Sequence, residues 1–76
     1  MNKLRRKSLQ EIADQLAELK DSLEALKDEE EEYRDNMPEN LQGSERYEKA
    51  DEACGSLEDA VSSLEDAIGS IESAIE

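Results

Sequence analysis

Residues 56–76 are one seven-residue unit written three times: Ser56-Leu57-Glu58-Asp59-Ala60-Val61-Ser62, Ser63-Leu64-Glu65-Asp66-Ala67-Ile68-Gly69, Ser70-Ile71-Glu72-Ser73-Ala74-Ile75-Glu76. Residues 49–55 form a weaker copy in front of them. Large apolar residues recur at alternating steps of three and four, at Cys54, Leu57, Val61, Leu64, Ile68, Ile71 and Ile75. A strand would scatter that series over both of its faces, whereas a helix gathers it into one stripe. The stripe is the a and d seam of a coiled coil, so this stretch is expected to be a helix packed against another helix.

A matching seam lies in the first half of the chain: Leu9, Ile12, Leu16, Leu19, Leu23 and Leu26, then Glu30 in a core slot, then Tyr33. Ser8-Leu9-Gln10-Glu11 has the form of a capping box, and nothing in residues 3–7 forbids helix, so the start lies between Asn2 and Ser8. No Gly or Pro interrupts the pattern before Pro38. The first helix is expected over about residues 3–34. Residues 35–44 are punctuation. Pro38 disfavours helical geometry at Met37. Asn36 is a candidate cap for one short turn from Met37 to Gln42, Gly43 a candidate stop, and Ser44 a cap for a second helix over about residues 45–76. Gly55 and Gly69 fall inside that helix but off its apolar stripe, where each costs up to about 1 kcal/mol against Ala.

Two long helices with a short connection fold back antiparallel. The expected fold is all-α, a single antiparallel two-helix coiled-coil hairpin over residues 1–76. The seams then pair Leu26 with Cys54, Leu23 with Leu57, Leu19 with Val61, Leu16 with Leu64, Ile12 with Ile68 and Leu9 with Ile71. At the turn, Tyr33 meets Tyr47 and Glu30 lies over the small Ala50. Charge favours the same orientation. The e positions include Lys20 and Lys27 on the first helix and Asp51, Glu58, Glu65 and Glu72 on the second. The basic residues Lys3, Arg5, Arg6 and Lys7 come to lie beside Glu72 and Glu76.

The g positions of the second helix read Ala53, Ala60, Ala67 and Ala74, flanked by Ser56, Ser63 and Ser70. With a and d they make an apolar face broader than one partner helix covers. Either these alanines are simply good helix formers, or they carry a second helix–helix contact. A two-helix hairpin leaves much of each core residue wet, which favours the contact. The expectation is a homodimer in which two hairpins form a four-helix bundle, with Ala53, Ala60, Ala67, Ala74, Val61, Leu64 and Ile68 at the interface.

Composition narrows the function. The chain has no His and one Cys, so it can build neither a disulfide framework nor a zinc site, and no cofactor is expected. Cys54 sits on the core seam and reads as a small hydrophobe. Asp28 to Glu32 are five consecutive carboxylates without the alternating ligands and turn glycine of a calcium loop. They read as a solvated helix end with at most weak divalent-cation binding. An enzyme is not expected. A net charge of −13 disfavours direct contact with nucleic acid or anionic membranes and suits a basic protein partner. No basic-then-apolar leader and no span of about 20 apolar residues is visible, so a soluble, cytoplasmic protein is expected. The paired acids Glu58-Asp59 and Glu65-Asp66, with Glu72, form a negative stripe in which successive pairs lie about 10.5 Å apart along the helix. It serves solubility and e-position pairing, or else it presents carboxylates in the manner of a phosphate ladder.

The turn Asp35-Asn36-Met37-Pro38-Glu39-Asn40-Leu41-Gln42-Gly43-Ser44-Glu45-Arg46-Tyr47, followed by Ala/Leu/Ile heptads, resembles a group of small acidic helical proteins of bacterial and phage genomes. That group has no assigned activity. The resemblance implies a phage or mobile-element origin, where small acidic proteins often inhibit host defences. The function expected from the chain is a non-enzymatic protein–protein interaction module. The alternative is an acidic DNA-mimic-type inhibitor of a nucleic-acid-binding defence protein, of the anti-CRISPR or anti-restriction class.

Overall fold

A computed structural model describes all 76 residues as two long helices joined by a tight turn. Helix α1 spans Lys3–Asp35 and helix α2 spans Glu45–Ile75, with a short 3-10 turn at Glu39–Leu41 between them. The helices run antiparallel in contact along their length, and the hairpin measures 59 × 15 × 13 Å. No helix is long and apolar enough to cross a membrane.

The ends of α1 differ from the capping-box reading. Asn2, not Ser8, caps the helix, its side chain accepting from the Arg5 backbone N–H at 2.7 Å. Asn36 does not open the short turn; it closes α1, its N–H donating to the carbonyls of Glu32 and Arg34. The 3-10 turn starts instead from Pro38, whose fixed φ of −57° is compatible with extended backbone at ψ 147°. No residue, Gly43 included, adopts positive φ, so the reversal needs no left-handed stop. Ser44 caps α2 as expected: its Oγ accepts from the Tyr47 N–H at 3.3 Å and donates to the Leu41 carbonyl.

The core is thin. Only Ala13, Met37, Ala50, Cys54 and Val61 are buried. On α2 the seam lies where the heptads place it: Ala50, Cys54 and Val61 are buried, and Leu57, Leu64, Ile68, Ile71 and Ile75 are half-buried. On α1 it does not. The row Ile12, Leu19, Leu26 and Tyr33, expected at d, is exposed by 46, 60, 58 and 48%. The row one step round the helix, at e, turns inward: Ala13 is buried, and Lys20, Lys27 and Arg34 are half-buried. Leu9, Leu16, Leu23 and Glu30, at a, are half-buried as well. The expected pairings of Leu19 with Val61 and Leu26 with Cys54 therefore do not form the centre of the contact.

The physical reason lies in the e row. Ala13 is small enough to sit at a close approach. The alkyl stems of Lys20, Lys27 and Arg34 can cover apolar surface while their charged ends reach out. Lys20 reaches Glu65 at 3.7 Å and Arg34 reaches Asp51 at 2.9 Å, so with e turned inward these cations still meet the acids of α2. Of the two cations expected to pair from e, Lys20 does so, and Arg34, in the same row, makes the second cross-helix pair. Lys27 pairs within its own helix, with Glu31 at 3.7 Å. One helix can cover about two rows of another, and here a and e take that place while d is left outside.

Candidate functional site

Rotation of α1 gives the hairpin two unlike faces. The e rows of both helices, with their ion pairs, lie on one of them. The other face is read off a shallow hollow at the turn end, lined by Glu30, Tyr33, Glu45, Arg46, Lys49 and Ala50. Tyr33 belongs to the d row of α1 and Arg46 to the g row of α2. Their meeting in one hollow puts the two rows on the same side of the molecule. Tyr33 shares that hollow with Arg46 and Lys49, while Tyr47, paired with it by the seams, is not part of the lining.

From edge to edge this second face carries six rows. Its middle is Ile12, Leu19 and Leu26 of α1, then Leu9, Leu16 and Leu23, then Leu57, Leu64 and Ile71 of α2, then Ala53, Ala60, Ala67 and Ala74. Ala53 and Ala60 are half-buried, whereas Ala67 and Ala74 are exposed. The outermost rows are Ser8, Gln15, Ser22 and Glu29 on α1, and Lys49, Ser56, Ser63 and Ser70 on α2. In a chain that is 41% charged, six of those eight rim residues are uncharged. Apolar side chains rimmed by small polar ones are the pattern of a surface that another protein covers.

Of the seven residues expected at an interface, Ala53, Ala60, Ala67 and Ala74 lie on this face. Val61 does not: it is 7% exposed and belongs to the intramolecular core. Leu64 lines both the seam and the inner edge of the face, and Ile68 is half-buried in the seam. What the heptads did not single out is the α1 row of Ile12, Leu19, Leu26 and Tyr33, which supplies the largest exposed side chains of the face.

The acidic residues Glu58, Asp59, Glu65, Asp66 and Glu72 are all exposed on α2, away from the apolar face. Glu65 is tied to Lys20, while the other four make no ion pair. Asp28 to Glu32 are fanned around α1 by the 100° step of the helix, and no three acidic or thiol groups converge on a point where an ion could sit. Cys54 lies in the seam near Arg34, Glu30, Glu31 and Asp51. Burial pushes its thiol above the usual range, the three acids push the same way, and Arg34 opposes them only in part. A thiol held in its neutral form is a poor nucleophile. The pKa of Arg34 is raised, first because of its hydrogen bond to Asp35 and further because of Asp51. No family model, curated protein or solved structure matches the chain.

Proposed function

We propose that the protein is a non-enzymatic protein–protein interaction module that works by offering one apolar helical face to a partner. The observation that carries this reading is the exposed row Ile12, Leu19, Leu26 and Tyr33, which continues across the hairpin into the alanines of α2. Leaving four large apolar side chains in water at seven-residue spacing has no benefit for an isolated hairpin. Covered by other helices, the same face completes a four-helix bundle. Its sparse charge suits a partner recognised by shape and apolar contact.

A second reading has its own observation. Glu58, Asp59, Asp66 and Glu72 stand free of ion pairs on the outer side of α2. Asp59 and Asp66 lie about 10.5 Å apart along the helix and Glu72 about 9 Å further on, a ladder that suits a basic groove that ordinarily holds nucleic acid. This is the acidic DNA-mimic function, in keeping with the phage-type resemblance of the turn.

The two readings use different surfaces, so variants separate them. The tagged chain is recovered from expressing cells in low and in high salt, as wild type, as Leu19→Glu/Leu26→Glu, and as Asp59→Lys/Asp66→Lys. The module reading expects a complex, with itself or another protein, that survives salt and is lost in the leucine variant only. A complex dissolved by salt and lost only in the aspartate variant establishes the mimic and overturns the module.

A further inference from the structure

We infer that the occupant of the apolar face is a second copy of this chain, docked head-to-tail, so that the open end of each hairpin lies over the turn end of the other. This rests on reading that face as an interaction surface, and it adds the partner and its orientation. Charge is the first argument. The turn end, residues 28–52, holds eleven acidic and three basic residues, a net −8. The open end, residues 1–9 with 68–76, holds four basic and two acidic side chains, a net +2. Within one hairpin these charges stay unused. Lys3, Arg5, Arg6 and Lys7 make no ion pair with Glu72, Glu76 or anything else, and Asp28, Glu29, Glu30 and Glu32 have no cationic partner. Two hairpins stacked face to face have two symmetric choices. An axis along the helices puts turn end on turn end, −8 against −8. An axis across them puts the basic end of each α1 over the acidic end of the other, and only this arrangement is complementary.

The spacing of side chains is the second argument. The d row of α1, taken whole, is Arg5, Ile12, Leu19, Leu26 and Tyr33, centred on Leu19. Reversed on itself, it sets Ile12 against Leu26, Leu19 against Leu19, and Arg5 against the face of Tyr33, a cation–π arrangement. The g row of α2 is Arg46, Ala53, Ala60, Ala67 and Ala74, centred on Ala60. Glu30 and Ala50 share the turn-end hollow, and counting eleven residues away from it along each helix reaches Leu19 and Val61. The two row centres are thus level to within one residue. One two-fold axis passes close to both, as a self-complementary interface requires.

Area agrees. The hairpin exposes 5632 Å², against about 4,700 Å² for a compact monomer of its mass. The excess is close to the roughly 800 Å² that each partner buries in a standard interface.

The test is sedimentation equilibrium with cross-linking. Wild type is expected to be dimeric at micromolar concentration. Leu19→Glu places two carboxylates on the axis and is expected to weaken the dimer by about a hundredfold or more. Circular dichroism reports whether that hairpin remains helical; if it does not, Leu19→Gln serves in its place. Arg5→Glu, in the d row of the face and opposite Tyr33 of the other copy, removes no ion pair from the hairpin and is expected to weaken the dimer as well. Orientation is read in a Cys54→Ala background. Mixed Ile12→Cys and Leu26→Cys chains are expected to form a disulfide with each other and neither with itself. A disulfide between Ile12→Cys and Ala67→Cys chains, which an axis along the helices brings together, would overturn the head-to-tail order while leaving the face an interaction surface. A wild type that stays monomeric would overturn the dimer, and the leucine and aspartate variants above then decide the module reading separately.

Discussion

Ala13 is the most enclosed side chain in the molecule, at 2% exposure, and Leu19, six residues further on, is 60% exposed. Small size is what admits Ala13 to the contact between the helices, so enlarging it is the damaging change. Ala13→Leu is expected to destabilise the hairpin by about 1–3 kcal/mol through overpacking. Leu19→Ala, in solutions dilute enough for single chains, is expected to cost less than about 1.5 kcal/mol, because most of that side chain is already wet. Urea melts of both variants check the pair; a larger loss for Leu19→Ala would return d to the centre of the seam. Cys54 supplies a second test at this scale. Its folded-state pKa lies above the unfolded value, so the folded state binds more protons once the unfolded thiol begins to ionise. The stability contributed by the neutral buried thiol is therefore complete below about pH 8.5 and lost as pH rises through the folded value. The melting temperature should fall in that window, and it should fall less steeply in Cys54→Ala, even though that variant starts lower.

At the level of the helices, Gly55 and Gly69 are the weak points of α2. Both are exposed, both occupy the b row away from the apolar face, and an added methyl at either would meet nothing within 4 Å. Gly55→Ala and Gly69→Ala should each raise stability by up to about 1 kcal/mol, seen as a higher midpoint in denaturant, with the association state unchanged. The two helices also differ in how plainly their sequences declared their faces. In α2 the serine, acidic and glycine positions leave a single apolar stripe, and the seam found is the seam read. In α1 the arc of apolar residues is wider than two rows, and heptads count only apolar residues. Periodicity could not see that Lys20 and Arg34 would turn inward on their stems to reach Glu65 and Asp51. The signal was nonetheless present: those two cations share a row with Ala13, and the acids they reach share a row on α2. The alanine face was legible because it repeats every seven residues, whereas its continuation onto α1 depended on the rotation of that helix.

For the whole molecule, shape and charge work against each other. The radius of gyration is 17.3 Å, against about 11 Å for a compact chain of this length, so the hairpin is a rod with little interior. It carries a net −13, and the helices bind each other across only two ion pairs, Lys20 to Glu65 and Arg34 to Asp51. Exposed pairs of this kind contribute about 0.2–1 kcal/mol each, and salt weakens them. Repulsion among 22 acidic side chains runs along both helices from Glu11 onward, and salt weakens that too. Few pairs against many like charges decides the sign: stability should rise with added salt. Raising ionic strength from about 0.01 M to about 1 M shortens the screening length from about 30 Å to about 3 Å, which removes most repulsion between exposed carboxylates. Thermal melts across that range should therefore move upward. Charge reversal gives the control: Asp59→Lys/Asp66→Lys lowers the net charge to −9 without touching an ion pair or the apolar face, and the salt response should shrink with it. A melting temperature that drops as salt is added would mean that the few cross-helix pairs outweigh the repulsion, and that the hairpin is held by Lys20 and Arg34 more than by its apolar seam.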